Sequence, residues 1–406
     1  MLSLGKASVA FLSIHALLLQ PLLAAPINET DSTLSLDEET NGPRTRSLLS
    51  TKDRPKILPP IPEDILTGKK VEFSEEDRRK EQEEMEKLDE QECEDLKDDK
   101  TEYIKYQYEY KGQDGHITTR YLVTGGTMGQ GGFATVYEAY VEPGGREKDF
   151  GAVVKSPDPK KPQHRGMLFV GAGIQRELAR KTKLVVREEG FFLEPDTGKA
   201  FLVMPVYFEG ELTERLLDVY SQGQAAVNKL FLKALEAVKV MHGEDIMHRD
   251  LKPSNFLMDG QQVLLTDFDM ATHSTGDDSV EFGVGSPPYI APEIIRRQKY
   301  GKKSDVFSMG IMLAWMSFPN LWEDSAWVPF WKDLVEWRGH DSFSTPEDVV
   351  EVLDLWFEAL YKKHNILHIY HEVRDLLKDV LCGPEDRIDA KEFYSRLKDL
   401  VGDARN

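Results

Sequence analysis

Cysteine is nearly absent from this chain of 406 residues, which has only Cys93 and Cys382. Two thiols so far apart supply no disulfide framework, so a fold of this size must rest on its hydrophobic core. Membrane-spanning apolar runs are missing too. The run from Val9 to Leu19 is stopped by Pro21, short of the roughly 20 residues needed to cross a bilayer. An excess of basic charge is also lacking. With 51 Lys+Arg against 71 Asp+Glu, the net charge is −20 and the pI near 5.0, which argues against a protein that grips nucleic-acid phosphates. What is present is 40% hydrophobic and 10% aromatic residues, enough for two or three domains or one large bilobal unit.

The acid is concentrated. Val71 to Lys100 holds 15 Asp+Glu and 6 Lys+Arg. Before it, Lys6, the apolar run and the small pair Ala24-Ala25 fit a cleaved secretory signal over residues 1–25. Asn28-Glu29-Thr30 forms a glycosylation sequon. Residues 26–100 are rich in Ser, Thr, Glu and Lys, with prolines at 55, 59, 60 and 62. Such a segment buries too little apolar surface to offset chain entropy, and is expected to be a disordered acidic leader. Glu75 to Lys97 fits a solvated charged helix or, as an alternative, a partner-binding one.

Past residue 100 the pattern turns to β, with alternating Tyr103, Tyr106, Tyr108 and Tyr110, a turn at 111–115 and a strand from Ile117. Gly129-Gln130-Gly131-Gly132-Phe133-Ala134-Thr135-Val136 follows. Glycines in such a loop let main-chain N–H groups approach phosphate oxygens with no Cβ in the way. Ala152-Val153-Val154-Lys155 then puts a lysine on an apolar strand, where an ammonium is costly unless it meets a carboxylate or phosphates. Glu177, in a short helical pattern, is its expected partner.

The most specific segment is His248-Arg249-Asp250-Leu251-Lys252-Pro253-Ser254-Asn255, followed by Asp267-Phe268-Asp269. These residues resemble the eukaryotic protein kinases. Gly285 to Glu293 is similar to the end of a kinase activation segment, Ser304 to Gly310 to the start of the large-lobe central helix, and Arg387 closes the series. The resemblance implies an α+β bilobal fold over residues 101–400, with a β-rich N-lobe at about 101–206 and a mainly helical C-lobe at about 207–400. It implies ATP and Mg²⁺ as cofactors and protein Ser/Thr hydroxyls as acceptors, with no nucleic-acid partner.

Site roles follow from the same resemblance. Lys155, held by Glu177, is expected at the α and β phosphates, and the loop Gly129, Gln130, Gly131, Gly132, Phe133 and Ala134 over them. Asp267 and Asn255 are expected to hold metal, Asp250 to take the hydroxyl proton and Lys252 to approach the transferred phosphoryl group, a Ser/Thr-class feature. Val136, Ala152 and Leu257 would enclose adenine, with Met204 as gatekeeper and Pro205-Val206-Tyr207 as hinge. Glu293 and Arg387 are expected to form a buried ion pair, and Asp305 to accept from the main chain at His248 and Arg249.

One departure stands out. Asp269 occupies the place of the family's glycine after Asp-Phe, which predicts restricted switching or altered metal affinity. The alternative reading is a pseudokinase scaffold that acts by binding a partner, and a third is an adaptor whose acidic tail does the work. Thr272, Ser274, Thr275 and Ser279, or the acids Asp277, Asp278 and Glu281, are candidate partners of Arg249. All six tryptophans lie between Trp315 and Trp356; most are expected in core or lobe packing, with the stretch from Asn320 to His340 as an alternative docking surface. In the leader, Arg46-Ser47-Leu48-Leu49 and Glu75-Glu76-Asp77-Arg78-Arg79 are similar to the paired RxLR and Glu-Glu-Arg elements of secreted oomycete effectors, although Leu49 replaces the last Arg. That resemblance implies secretion, delivery into a host cell and host protein partners; a protease-accessible linker is the plainer reading.

Overall fold

The computed structural model describes residues 66–71, 104–111, 117–143, 152–194, 197–274, 284–318, 324–336, 343–358, 362 and 367–403. The signal-like start, the sequon, the effector-like elements, Glu75 to Lys97, Cys93, the turn at 112–116, Thr275, Asp277, Asp278, Ser279, Glu281, Trp322 and Trp337 lie outside them.

Alternation of apolar and polar residues builds the first layer. Strands β1 (Leu66–Val71), β2 (Ile104–Lys111), β3 (Ile117–Gln130), β4 (Ala134–Pro143), β5 (Ala152–Pro157), β6 (Gly190–Leu193) and β7 (Ala200–Pro205) close in the order β1-β2-β3-β4-β5-β7-β6. The expected hairpin is present, with Ile104 opposite Thr124 and Lys111 opposite Ile117. Leu122, Ala139, Ala152, Val154, Phe192, Phe201 and Val203 fill one side of this sheet. The leader boundary at residue 100 needs correction: Leu66–Val71 pairs antiparallel with β2 and parallel with β6, and so completes the sheet. Its sequence, Leu-Thr-Gly-Lys-Lys-Val, has little β preference of its own, and pairing on both edges decides its state.

Helix α1 (Pro162–Lys181) crosses behind the sheet. Proline opens it where no intrahelical N–H is needed, and Arg180 and Lys181 close it against the negative end of its dipole. After β7 come α2 (Leu212–Tyr220), α3 (Gln224–Gly243), β8 (Ile246–Met247), the hairpin β9 (Phe256–Asp259) and β10 (Gln262–Leu265), and β11 (Thr272–His273), which pairs with β8. Then follow α4 (Pro292–Ile295), α5 (Lys302–Ser317), α6 (Asp324–Glu336), α7 (Pro346–Leu353), α8 (Leu367–Leu381) and α9 (Ala390–Asp403). The β-rich first layer and helical second layer match the expected α+β bilobal arrangement.

The helical lobe is organised around α3 and α5. Val227, Phe231, Leu235, Val238 and Met241 of α3 are fully buried, at helical spacing; each contributes roughly 1.5–3 kcal/mol by leaving water. Helix α5 is buried on nearly every side. Gly310 is required there, because a Cβ would stand 2.5 Å from Val380 Cγ1 and 2.8 Å from Leu381 Cδ2 of α8. The tryptophans belong mostly to this packing. Trp327 is buried, Trp331 donates from Nε1 to the Ile290 carbonyl at 3.2 Å, and Trp356 donates to Asp333 at 2.9 Å. The packing expectation therefore holds for Trp327, whose ring lies 5.6 Å from that of Tyr289, and for Trp331; both support the segment before α4, and the docking alternative does not apply to them.

Arg387 ties three parts of this lobe together. Its guanidinium pairs with Glu293 at 2.6 and 3.1 Å and donates to the carbonyls of Cys382 and Lys303. Ser304 donates to Glu293 as well. The pair is buried on both sides, so removing one partner strands the other charge. Arg387→Ala is expected to cost about 3 to 5 kcal/mol, measured by chemical denaturation, whereas the apolar double replacement Glu293→Leu/Arg387→Met should lose much less.

Candidate active site

Strand register positions the first half of the site. Val136 of β4 lies opposite Lys155 of β5, and Ala152 lies opposite Pro205. The glycine loop turns between β3 and β4, closed by the Gly131 N–H to the Ala134 carbonyl at 2.9 Å. Gln130, Gly131 and Gly132 are exposed at its tip and Gly129 and Phe133 partly so, while Ala134 is buried beneath. His164 of α1 holds the loop, its Nδ1 3.2 Å from the Phe133 carbonyl and its ring 5.1 Å from the Phe133 ring. Met204 is buried behind the hinge, with the Gln175 amide 3.6 Å from its sulfur. Leu257, on β9, packs into the same apolar group as Met204. Met204 and Leu257 thus share one apolar group with Val153, on the face of the sheet that carries Val136 and Lys155, and its chemistry suits a flat apolar base. The expectation for Ala152 is corrected: strand alternation turns it to the opposite face of β5, where it packs with Leu122, Val154 and Phe201.

The second half hangs on Asp305. Its carboxylate accepts from the His248 and Arg249 N–H groups at 2.8 Å each and faces His242 Nε2 at 3.0 Å. Burial alone would raise this acid, but His242 and the other donors hold it below the usual carboxylate range. The expected main-chain bonds are therefore present. They fix the turn that carries Asp250, in which Arg249 takes a positive φ of 68°. Asn255 donates to the Asp250 carbonyl at 2.7 Å, and Lys252 donates to Asp250 Oδ2 and to Ser286, each at 2.9 Å. Asp250 Oδ1 is buried without a hydrogen-bond partner. A buried orphan acceptor is costly, and this one lies beside Gly285 and Ser286. Burial would lower the Lys252 ammonium, but Asp250 and Asp267 outweigh it and raise it.

Lys155 departs from expectation. Its ammonium lies 2.5 Å from Asp267 Oδ1 and 2.8 Å from Asp269 Oδ2. The expected pair with Glu177 is corrected: Glu177 sits 2.9 Å from Lys181 and 3.6 Å from His273, well exposed. The reason is helical geometry. Gly171, not Glu177, is the α1 residue against the Asp267-Phe268-Asp269 turn; a Cβ there would stand 2.5 Å from the Phe268 carbonyl oxygen. Six residues along a helix rotate the side chain by about 240° and advance it by about 9 Å.

Charge balance in this cluster is tight. Burial would depress Lys155, but Asp267 and Asp269 more than offset it and hold the ammonium well above the ordinary lysine range. Asp267 is likewise pulled down by Lys155 and Lys252 against its own burial, whereas Asp269 is raised by burial, with Asp267 beside it. The left-handed backbone of this turn does not fall at Asp269. Asp269 sits within a short 3-10 turn, Phe268–Met270, and it is Asp267 that takes a positive φ, of 65°. Asp267 offers a carboxylate, and Asn255, with its NH₂ committed to Asp250, offers its carbonyl oxygen. Two oxygen donors that leave room for substrate phosphates suit Mg²⁺.

Of the candidate partners of Arg249, only Thr272 and Ser274 are among the described residues. Arg249 Nε donates to the Met270 carbonyl at 2.6 Å and Nη1 faces Tyr300 at 3.4 Å. Ser274 is buried, its N–H bonded to the Asp245 carbonyl. Sequence reading also missed Glu211, whose carboxyl lies just past the hinge and whose backbone bridges Leu257. A Glu-Gly-Glu run directly after a hinge strand was the available signal.

Protein kinase domain is the description of the family model that matches residues 122–396. The chain belongs to the protein kinase family. It is also 38% identical over 149 residues to the calcium-dependent protein kinase SK5 of Glycine max, an alignment that covers 35% of this chain and 28% of that relative.

Glu211 generates a pH prediction. Desolvation, reinforced by Glu214, pushes its carboxyl up to about 7. Below about pH 4.5 folded and unfolded chains both carry the proton and nothing is lost. Between 4.5 and 7 only the unfolded chain releases it, so stability falls as pH rises and levels off above 7. Glu211→Gln should therefore gain roughly 2 to 3 kcal/mol on the wild type between pH 4.5 and 8, read from denaturation at both ends.

Proposed function

We propose that this chain transfers the γ-phosphoryl group of ATP to Ser or Thr hydroxyls of protein substrates. The observation that carries the reading is the state of Asp250. One carboxylate oxygen is fixed by Lys252 and the other is buried and unpartnered, an acceptor that a substrate hydroxyl can satisfy. Lys252, shared between Asp250 and Ser286, is close enough to Asp250 to meet the transferred group as it arrives. On the nucleotide side, Lys155 supplies cationic charge at the α and β phosphates and the glycine loop supplies main-chain N–H donors. Asp267 and Asn255 would hold Mg²⁺, which when bound neutralises phosphate charge. Positioning and electrostatics then account for most of the rate, as phosphoryl transfer requires.

The relative's name supports a protein substrate, and Lys252 supports the Ser/Thr class. The apolar start and Ala24-Ala25 support export of the kinase, and the effector-like elements Arg46–Leu49 and Glu75–Arg79 support host proteins as its targets. A partner-binding pseudokinase is the competing reading, favoured by the extra carboxylate on Lys155.

Phosphate incorporation from Mg-ATP into a generic basic protein decides between them. Asp250→Asn should lose about 10²- to 10⁴-fold in turnover, while nucleotide binding stays within a few-fold of wild type. Lys155→Met should lose turnover to the same extent and weaken nucleotide binding about tenfold, leaving it measurable. Equal incorporation by wild type and both variants would sink the catalytic reading, and binding without transfer by the wild type would establish the scaffold.

A further inference from the structure

The turn that carries Asp267 is also the source of both carboxylates on Lys155. Helix α1, packed beside that turn, contains one acid, Glu177, and it is committed to Lys181 and His273 on the exposed face. Where α1 meets the turn it presents Gly171, whose missing side chain leaves room for the Phe268 carbonyl and for Asp269 Cα, which would lie 2.9 Å from any Cβ. Gly166 and Gly173 of the same helix have no atom so placed. An interior helical glycine costs up to about 1 kcal/mol against alanine, and only Gly171 has a packing reason for that cost.

Hard cations claim carboxylate oxygens. With metal on Asp267, Lys155 keeps Asp269 as its counter-ion, 2.8 Å away and only 7% exposed. We infer that Asp269 is the positioning residue of Lys155, the counter-ion that holds the ammonium toward the nucleotide in place of a helix acid, and that Gly171 is the space that admits it. The glycine expected after Asp-Phe is thus an acid, while the helix acid expected as its partner, Glu177, lies six residues past the point where α1 meets the turn with a glycine. The inference rests on the nucleotide-binding reading of the cleft, but the ion pair itself can be tested without nucleotide.

The experiment is a pair of double-mutant cycles on the full chain, Lys155→Met with Asp269→Asn and Lys155→Met with Glu177→Gln. Each is read by thermal melting of the free protein and by Mg-ADP affinity. In the wild-type background Asp269→Asn should lower the melting temperature or leave it unchanged, and weaken Mg-ADP about tenfold. In the Lys155→Met background it should raise the melting temperature by several degrees, because it removes a buried carboxylate that has lost its cation, and change Mg-ADP affinity less than threefold. Glu177→Gln should act alike in both backgrounds. Gly171→Ala, which keeps every charge but displaces the turn, should weaken Mg-ADP as well.

Equal melting shifts for Asp269→Asn in both backgrounds, or background dependence carried by Glu177→Gln instead, would overturn the inference. Failure of the wild type to bind Mg-ADP would overturn the nucleotide reading alone, since the melting cycle still decides the ion pair.

Discussion

Lys155 lies between two carboxylates, that of Asp269 nearly buried and that of Asp267 about a third exposed at 34%, and much of the catalytic half of the molecule is arranged around that cluster. A buried ammonium between strands is tolerable only with close compensation. Register across β4 and β5 sets it under the glycine loop, and the left-handed backbone at Asp267 turns that carboxylate back toward it. The helix can approach the turn only because residue 171 has no side chain. None of these features has an independent reason to exist at its position.

The helical lobe solves a different problem, which is to hold the acceptor side still. Asp305 has no role in bond making, yet its two main-chain bonds fix the His248-Arg249 turn and so the direction of Asp250. The Glu293 and Arg387 pair does the same for the segment that ends at α4, and Trp331 supports that segment through the Ile290 carbonyl. Lys252 joins the two supports, since it bonds Asp250 from one and Ser286 from the other. Buried polar groups of this kind carry geometry more than net stability.

Much of this was legible in the chain itself. The glycine run, the lysine strand, the His-Arg-Asp segment and Asp305 act through local spacing, and local spacing survives folding. The Lys155 partner did not, because choosing between Gly171 and Glu177 requires the rotation of α1 about its axis, which depends on packing with β7 and the metal turn. The strand Leu66–Val71 was hidden for a related reason: two lysines and a glycine in an acidic neighbourhood carry no β signal, and the pairing that defines the strand is with residues far along the chain. Interior glycines at 166, 171 and 173 were a usable hint of close approach, though the sequence does not say which one is pressed.

Moving the counter-ion of Lys155 from the helix to the turn changes what the site couples to. A helix acid would make the lysine's orientation depend on how α1 docks against the sheet. An acid two residues from Asp267 makes it depend on the turn that also carries the proposed metal carboxylate. Lysine, metal carboxylate and counter-ion then move as one short unit, and displacement of α1 is felt through backbone contact at Gly171 and through His164 on the glycine loop. Such a unit also bears an extra negative charge where phosphates must bind, so Lys155 and Lys252 serve both to neutralise the acids and to meet the nucleotide. The −20 of the whole chain is a sum over 406 residues, and salt screens charges more than about 8 Å apart at physiological ionic strength; the balance in the cleft is settled by these few charges within it.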